Sequence, residues 1–333
     1  MRRLTAHCRL DKMDTVDELK LISGLKVKLN EPLAPYTSIK IGGPADYFLA
    51  VEDRLALART LELLCRHGIP FCLLGQGSNV LVSDRGVRGA VLRLGREFKE
   101  ALWTEDNGAV VALVGAAYPV SRLVREAARR GYSGLEFAEG IPGSVGGALV
   151  MNAGAYGSEI EKIVDRVEGV TAQGEAVGLE RGQMLFTYRS SNLPPGTIVT
   201  RVHLRLTKDR AEAVSQRIRD LVTRRKKSQP SGYPNSGSMF RNPPGDFAGR
   251  LIEAAGLKGR KIGTAQISER HANFIVNLGG AKADEVRGLM ELARAEVRKR
   301  FGVELEPEVR LLGEWPEENT SGAYIPHRRN RTG

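Results

Sequence analysis

The sequence predicts a protein of mixed helices and strands in two or three domains, on three observations. The chain has 333 residues, which suffices for about two or three domains with sizeable cores. Apolar residues recur with a helical period in some segments and alternate along others, as strands require. The pattern of residues along the chain changes after Lys208, so we place a domain boundary near residue 209.

Helices are predicted from apolar periodicity and from the residues that follow them. The segment at residues 53–67 carries leucines at every third or fourth position and is followed by Gly68. Gly131 and Gly302 end two further helices in the same way. The predicted helices cover residues 53–67, 119–130, 211–227, 249–256 and 284–301.

Strands are predicted from alternation and from short apolar runs. Residues 198–206 alternate cleanly, so His203 on the polar face is interpreted as a surface residue rather than a base. Two runs around Gly174 predict a hairpin. Pro307 in the last run suggests an edge strand. The predicted strands cover residues 47–51, 69–74, 110–114, 164–171, 176–179, 198–206, 271–277 and 303–312.

The densest functional signal is the stretch at residues 140–157, which contains six glycines. Glycine adds no side-chain bulk and adopts positive φ easily, so consecutive amides can form an anion-binding nest. One or two glycines would indicate only a tight turn. Six of them, beside Asn152 and Tyr156, favour a loop that binds a ligand such as a phosphate.

A second glycine loop, Gly-Gln-Gly-Ser-Asn-Val-Leu-Val at residues 75–82, follows a predicted buried strand. A strand that leads into a glycine loop is typical of nucleotide sites. Position 80 is Val, so the third glycine of the dinucleotide fingerprint is missing, and the chain has no P-loop motif. Neither a Rossmann nor a P-loop site is predicted. Thr37 and Ser38, before the turn at residues 42–44, form a third ligand-like segment.

The net charge of +11 suits a polyanionic partner or nucleotide ligands. Basic clusters lie at residues 224–227 and 327–331, and the second is interpreted as a solvated tail. Aromatic residues do not interleave with these clusters, so no nucleic-acid partner is expected. Residues 1 to about 20 are polar and are expected to be loosely attached.

Compartment and metal content are predicted from what the sequence lacks. No apolar run approaches the ~20 residues of a membrane span, and the first residues do not resemble a signal peptide. The cysteines at positions 8, 65 and 72 have no metal-binding spacing. We therefore expect a reduced, cytoplasmic protein without a metal site and without a membrane partner.

Seven segments together resemble the MurB family, the UDP-N-acetylenolpyruvoylglucosamine reductases. These flavoenzymes complete UDP-N-acetylmuramic acid for peptidoglycan, and so serve cell wall biogenesis, cell shape and cell division. The resemblance runs in register from about residue 25 to residue 313 and follows the shorter branch of the family. The segments, in the family's order, are residues 37–46, 74–82, 140–157, 188–190, 237–243, 255–259 and 306–310.

The resemblance implies a fold that periodicity alone does not predict. It is an α+β fold with a two-lobed FAD-binding domain of the vanillyl-alcohol-oxidase (PCMH) type, followed by a C-terminal α/β substrate-binding domain. A monomer is expected. The implied parts are an N-terminal extension at 1–20, FAD-binding lobes at 21–97 and 98–208, a substrate-binding domain at 209–313 whose last strand, 303–313, returns to the active site, and a tail at 314–333.

The resemblance also implies FAD and NADPH as cofactors. The two glycine loops would hold the FAD pyrophosphate, which agrees with the nest interpretation and explains the incomplete dinucleotide fingerprint. The expected FAD-contacting residues are Tyr36, Thr37, Gly75, Gln76, Gly77, Ser78, Asn79, Val80, Gly140, Ile141, Pro142, Gly143, Ser144, Gly146, Gly147, Asn152, Ala153 and Arg310.

Three residues match the family's catalytic positions. Arg189, in Tyr-Arg-Ser, corresponds to an arginine whose planar guanidinium can bind a carboxylate through two parallel hydrogen bonds. Ser238 corresponds to the proton donor, and Glu308 to a glutamate that acts with the arginine. Without the resemblance, Arg189 is equally a structural ion-pair residue, Ser238 a turn hydroxyl, and Glu308 indistinguishable from Glu304 or Glu306.

Three further residues match the family's substrate contacts, and two departures limit the comparison. Tyr156, Arg225 and Asn242 are expected to bind the UDP part of UDP-N-acetylenolpyruvoylglucosamine, although the basic run at 224–227 leaves the alignment of Arg225 open. Arg241 stands where many members have Lys. Residues 161–192 leave little room for the substrate-covering segment of the longer branch.

Two other functions remain open from the sequence. The first is a different FAD enzyme of the same fold, such as an oxidase of a small alcohol or sugar. The glycine loops do not exclude it, whereas the settings of Arg189, Ser238 and Glu308 argue against it. The second is a basic nucleotide-binding or nucleic-acid-binding module without catalysis, which a bound flavin would contradict.

Overall fold

The computed structural model describes residues 15–106 and 109–315. Cys8, the basic cluster at 327–331 and most of the predicted N-terminal extension and tail lie outside the described residues. The expectation of loose attachment is wrong for residues 15–20, which are helical. Leu19 is fully buried in the core, and Glu18 contacts His67 at 3.1 Å.

The N-terminal sheet has four strands in the order β1-β2-β5-β3, with β1 antiparallel and the others parallel. Helix α1 packs all its leucines except the exposed Leu55 into the core, and the Asp53 carboxylate caps it by accepting a hydrogen bond from the Ala56 N–H at 2.8 Å. The elements here are β1 (Leu25–Pro32), β2 (Pro44–Val51), α1 (Arg54–Arg66), β3 (Phe71–Leu73), β4 (Val80–Val82) and β5 (Val87–Leu94).

The central sheet has the order β12-β11-β15-β7-β6, with β8 paired to β15. Alternate side chains of β15 are buried from Thr200 to Leu206, as the sequence predicts, and Ile198 and Val199 before them are both buried. The hairpin around Gly174 is also confirmed. The elements are β6 (Ala101–Asp106), β7 (Ala109–Gly115), α2 (Val120–Arg130), β8 (Tyr132–Ser133), α3 (Val145–Val150), β9 (Gly154–Ala155), β10 (Ser158–Glu159), β11 (Val164–Val170), β12 (Ala176–Glu180), β13 (Phe186–Thr187), β14 (Ser190–Ser191) and β15 (Ile198–Lys208).

The C-terminal sheet is antiparallel in the order β16-β19-β18-β17. Its core extends to Ile39, Ile41 and Leu81 of the N-terminal part, so the two parts share apolar packing. The elements are α4 (Ala211–Ser228), β16 (Asn235–Ser238), α5 (Ala248–Ala254), β17 (Lys261–Ile262), β18 (Ala265–Ile267), β19 (Phe274–Asn277), α6 (Ala283–Phe301) and β20 (Arg310–Leu312).

Two predicted segments differ from the structure. The predicted strand at 303–312 is regular only at β20. Pro307 has no N–H to donate, and the residues before it contact a loop instead of a strand. In that contact, the Arg241 N–H donates to the Glu306 carbonyl at 2.9 Å. The stretch at 140–157 contains helix α3, which glycine makes possible: a Cβ at Gly146 would lie 2.8 Å from the Ala116 Cβ.

The N-terminal and C-terminal sheets are also joined by polar contacts. The Asp84 carboxylate accepts hydrogen bonds from the Ala283 N–H at 2.9 Å and the Asp284 N–H at 3.1 Å, and so caps α6 from outside the helix. The Asn277 side chain donates to the Ile39 carbonyl at 2.9 Å. These contacts fix how the C-terminal part lies against the N-terminal sheet.

We expect Asp84→Ala to lower the free energy of unfolding by about 1 kcal/mol, because two N–H groups at the start of α6 lose their acceptor. Asp84→Asn keeps one acceptor and should lose less. Urea unfolding measures both. Glu62→Ala, which removes an exposed carboxylate from α1, is the control; an equal loss in that variant would contradict the capping role.

Candidate active site

Three segments that are far apart in sequence meet at the predicted cofactor loops. The Ser38 N–H donates to the Gly77 carbonyl at 2.9 Å. The Ser78 hydroxyl donates to the Pro142 carbonyl at 3.1 Å. Residues 36–38 and the two glycine loops therefore form one surface, as the sequence predicts.

Glycine is required where these loops cross. At Gly77, φ is +64°, and a Cβ would lie 2.2 Å from the Tyr36 carbonyl oxygen. At Gly143, φ is +128°, and a Cβ would lie 3.0 Å from the Ser78 hydroxyl. A larger residue at Gly77 would force the two backbones apart, whereas one at Gly143 would be disfavoured by its positive φ and would crowd the Ser78 side chain.

The first loop offers free backbone amides. Within the described part of the chain, no acceptor takes the N–H groups of residues 75–79. Consecutive amides around a residue of positive φ make a concavity for an anion. The residues present therefore fit the pyrophosphate of an FAD molecule.

The second loop offers fewer amides than the sequence suggests. The Gly146 N–H donates to the Ala116 carbonyl at 2.8 Å, and the Ile141 N–H donates to the Ala138 carbonyl at 3.0 Å. The Gly147 N–H faces the Ser144 hydroxyl at 3.4 Å. Cofactor contacts of Ile141, Gly146 and Gly147 stay predictions. Because their N–H groups already have acceptors within the protein, such contacts would have to use other atoms.

The first loop is fastened to the last segment of the described chain through Asn79. Its side-chain amide donates to the Glu308 carbonyl at 3.1 Å, and its own carbonyl accepts from the Arg310 N–H at 3.1 Å. Val80 begins β4, which pairs in parallel with β20. The loop therefore reaches the position of the predicted catalytic glutamate.

The three predicted catalytic residues are brought together. The Arg189 Nε donates to Glu308 Oε1 at 2.7 Å. The Glu308 N–H donates at 2.8 Å to the carbonyl of Met239, the residue after Ser238. Side-chain exposure is 21% for Arg189 and 14% for Glu308. A partly enclosed, charge-assisted pair thus lies next to the backbone that follows Ser238, and the Arg189 Nη2 has one further, long hydrogen bond to the Gly154 carbonyl at 3.5 Å.

Arg189 is held by a strained two-residue turn between β13 and β14. Its φ is +59°, a conformation that is uncommon for residues other than glycine. The turn is fastened on both sides, since Asn152 donates to the Thr187 carbonyl at 3.2 Å and Ser191 donates to the Val150 carbonyl at 3.1 Å. These two hydrogen bonds hold the turn in place and so fix the direction of the Arg189 side chain.

Asn152 has its amide fully used inside the protein. Besides Thr187, it donates to Glu159 at 2.8 Å and accepts from the Glu161 N–H at 3.2 Å. The residue is completely buried. A direct contact of Asn152 or Ala153 with FAD stays a prediction, and the contacts observed here orient the turn that carries Arg189.

Two predicted substrate contacts lie together. The Tyr156 hydroxyl donates to the Leu221 carbonyl at 3.2 Å. A Cβ at Gly140 would lie 2.7 Å from the Arg225 Cδ, so Arg225 covers the start of the second glycine loop. Burial lowers the pKa of Arg225, and the nearby Tyr156 and Glu139 oppose that shift. The guanidinium remains charged because an arginine pKa starts so high.

Other predicted contacts have structural partners. The Asn242 side chain accepts from the Ala248 N–H at 3.1 Å. The Tyr36 hydroxyl donates to Glu31 at 2.6 Å, and its ring stacks on Phe48. The Thr37 hydroxyl donates to the Ile41 carbonyl at 2.9 Å. Their ligand contacts stay predictions.

Arg310 and Arg241 bring positive charge to this end of the site. Burial, followed by the nearby Arg241 cation, lowers the pKa of Arg310. The Arg241 Nε is buried and has no hydrogen-bond acceptor within residues 15–106 and 109–315. Sequence analysis noted Arg241 only as a departure from Lys.

Sequence analysis missed the contact of Arg217 with Glu136, which supports helix α4. The two residues are 81 positions apart. An ion pair at that separation leaves no local pattern, so no signal in the sequence marked it.

We expect Gly77→Ala to weaken both the fold and FAD binding. An alanine of positive φ costs about 1–2 kcal/mol, and its Cβ would also collide with the Tyr36 carbonyl. Gly245, with φ of +77° and open space around it, gives a matched control. Unfolding free energy and retained flavin should both fall further in Gly77→Ala than in Gly245→Ala. Equal losses would contradict the crossing of backbones.

Comparison with known families identifies two regions. The family model "UDP-N-acetylenolpyruvoylglucosamine reductase, C-terminal domain" matches residues 229–312, and "FAD binding domain" matches residues 45–180. Among the described helices, none is long and apolar enough to cross a bilayer.

Curated relatives and a solved structure agree with this match. UDP-N-acetylenolpyruvoylglucosamine reductase 2 of Symbiobacterium thermophilum is 47% identical over 292 residues, covering 87% of this chain and 94% of the relative. The reductase of Anaeromyxobacter sp. (strain K) is 45% identical over 291 residues, 87% of each chain. The crystal structure of the reductase (MurB) from Thermus caldophilus superposes with a TM-score of 0.75 at 41% identity, covering 86% of this chain and 99% of that one.

These matches confirm the predicted two-lobed FAD-binding fold with its C-terminal domain, and FAD as the cofactor of an oxidoreductase. The domain boundaries and the roles of single residues stay predictions. The chain belongs to the UDP-N-acetylenolpyruvoylglucosamine reductase (MurB) family.

Proposed function

We propose that this protein reduces UDP-N-acetylenolpyruvoylglucosamine to UDP-N-acetylmuramate, with NADPH as the reductant, in the cytoplasmic synthesis of peptidoglycan precursors. The observation that carries the proposal is the meeting of Arg189, Glu308 and the segment at Ser238. The names of the relatives support the same substrate.

The reduction adds a hydride to the enolpyruvyl methylene carbon and a proton to the carbon that bears the carboxylate. FAD, when bound, supplies the hydride-transfer chemistry. The protein must therefore hold the substrate carboxylate, stabilise the negative charge that develops next to it, and deliver one proton.

Arg189 binds and polarises the substrate carboxylate. Its Nε donates to Glu308 at 2.7 Å, and its Nη2 makes only a long hydrogen bond to the Gly154 carbonyl at 3.5 Å. The terminal nitrogens would therefore turn to the substrate carboxylate when it binds. Glu308 keeps the guanidinium plane in one orientation and reduces the entropy that the arginine would lose on binding. A lysine could not hold both partners with one planar group.

Ser238 donates the proton. It ends β16, directly before the Met239 carbonyl that accepts the Glu308 N–H. A hydroxyl is a weak acid, so the transfer depends on nearby positive charge, which Arg189, Arg241 and Arg310 provide. Arg225 and Tyr156 bind the diphosphate of the nucleotide, with Asn242 as a further contact.

We expect Ser238→Ala to separate the two halves of the reaction. NADPH should still bleach the flavin, because that half needs no proton from Ser238. Reoxidation by the enolpyruvyl nucleotide should slow by about 10²–10⁴-fold, the usual contribution of a positioned proton donor. Anaerobic stopped-flow spectroscopy measures both rates in one protein.

Ser231→Ala, which changes an exposed serine in the loop before β16, should behave as the wild type in both halves. Normal reoxidation in Ser238→Ala would exclude Ser238 as the donor. If the reduced wild-type protein is not reoxidised by the enolpyruvyl nucleotide, the proposed substrate is wrong.

A further inference from the structure

Arg217 is the centre of a polar cluster that joins helix α4 to the central part of the fold. Its Nε and Nη2 donate to Glu136 Oε1 at 2.9 and 2.7 Å. The Nη2 also lies 2.7 Å from Asp209 Oδ2 and 3.1 Å from the Ser133 hydroxyl. One guanidinium thus connects three residues that come before the helix in the chain.

The Glu136 carboxylate is itself fixed. Its side chain is 11% exposed. It accepts hydrogen bonds from the Gly134 N–H at 2.7 Å and from Ser133 at 2.9 Å. Burial would raise the pKa of Glu136, but the hydrogen bonds from Gly134 and Arg217 overcome this and hold it below its usual range. The carboxylate is therefore a firm attachment point for α4.

The contacts of α4 follow one face of the helix. Arg217, Leu221 and Arg225 are spaced by four residues, which places them above one another. Arg217 binds Glu136, the Leu221 carbonyl accepts from Tyr156, and Arg225 covers Gly140. Glu136 comes four residues before Gly140, so the helix runs along the segment that leads into the second glycine loop.

Apolar packing alone does not fix the position of this helix. Of the described side chains of α4, Val214 alone is fully buried, and all the others are half-buried or exposed. A helix with so little buried surface can slide or rotate unless polar contacts hold its register. Arg217 supplies such a contact two turns before Arg225.

We propose that Arg217, through Glu136 and Asp209, is a positioning residue that holds Arg225 over Gly140 for binding of the substrate's diphosphate. The proposal rests on the proposed function for the identity of the nucleotide. It assigns no chemistry to Arg217, which lies outside the reacting groups. Loss of the Arg217 side chain should therefore weaken nucleotide binding without lowering the rate at which the bound substrate reacts.

The test uses the FAD-loaded protein and the variants Arg217→Ala, Arg217→Lys and Glu136→Gln. We expect Arg217→Ala to raise the KM for the enolpyruvyl nucleotide and the Kd for UDP about tenfold, with kcat changed less than about twofold. Arg217→Lys keeps the charge but not the fork, and should lie between Arg217→Ala and the wild type. Arg205→Ala removes a surface ion pair with Asp165 and should change neither constant.

A double-mutant cycle separates positioning from general damage to the fold. If Arg217 acts through Arg225, then Arg217→Ala should raise the Kd for UDP less than about twofold in an Arg225→Ala background. If Arg217→Ala only damaged the fold, it would raise the Kd for UDP by the same factor in the Arg225→Ala background as in the wild type. Hydrogen exchange of the amides at residues 221–225 should also speed up in Arg217→Ala while the retained flavin is unchanged.

Unchanged UDP affinity in Arg217→Ala, or full additivity with Arg225→Ala, would overturn the proposal. Flavin content shows whether each variant is folded, and Arg217→Lys and Glu136→Gln serve if Arg217→Ala is not. Failure of the proposed function would be seen differently, as a wild-type protein that binds UDP but does not reduce the enolpyruvyl nucleotide.

Discussion

The segment at residues 307–312 is the connection on which the candidate site depends. Its side chain at Glu308 pairs with Arg189, its backbone at Glu308 donates to Met239, and β20 lies parallel to β4. Each contact joins it to a different part of the chain. The pair of Arg189 and Glu308 is also largely withdrawn from water, and a charge that lost its partner there would be costly. The site is therefore complete only when these parts are assembled.

Local signals were sufficient to predict most helices and strands. Helices α1, α2 and α6 follow from leucine or valine periodicity and from the glycines at 68, 131 and 302, all three of which have positive φ after their helices. The last predicted strand was mostly wrong because its alternation reflects contacts with the loop at 239–241 rather than a regular ladder. Helix α3 was missed because its glycines resemble a loop.

The site could be predicted only in part. The resemblance supplied Arg189, Ser238 and Glu308, but chemistry read from each residue alone did not distinguish Glu308 from its neighbours. These residues meet only in the folded chain, since the partners of the ion pair, Arg189 and Glu308, are 119 positions apart in sequence. No local sequence pattern records such a contact. The same holds for Asn152, whose side chain supports the turn of Arg189, and for Arg217, whose partner lies 81 residues away.

Asn79 connects the first glycine loop to the backbone at Glu308. It is the last residue of the run 75–79, whose amides face the proposed pyrophosphate position, and its side chain and carbonyl bind the backbone on both sides of Val309. An anion held by those amides would restrict the loop, and through Asn79 it would restrict Glu308. Because Glu308 pairs with Arg189, ordering of the loop would extend to the group proposed to bind the substrate carboxylate. Two hydrogen bonds made by Asn79 are therefore the physical link between the proposed cofactor loop and the proposed catalytic pair.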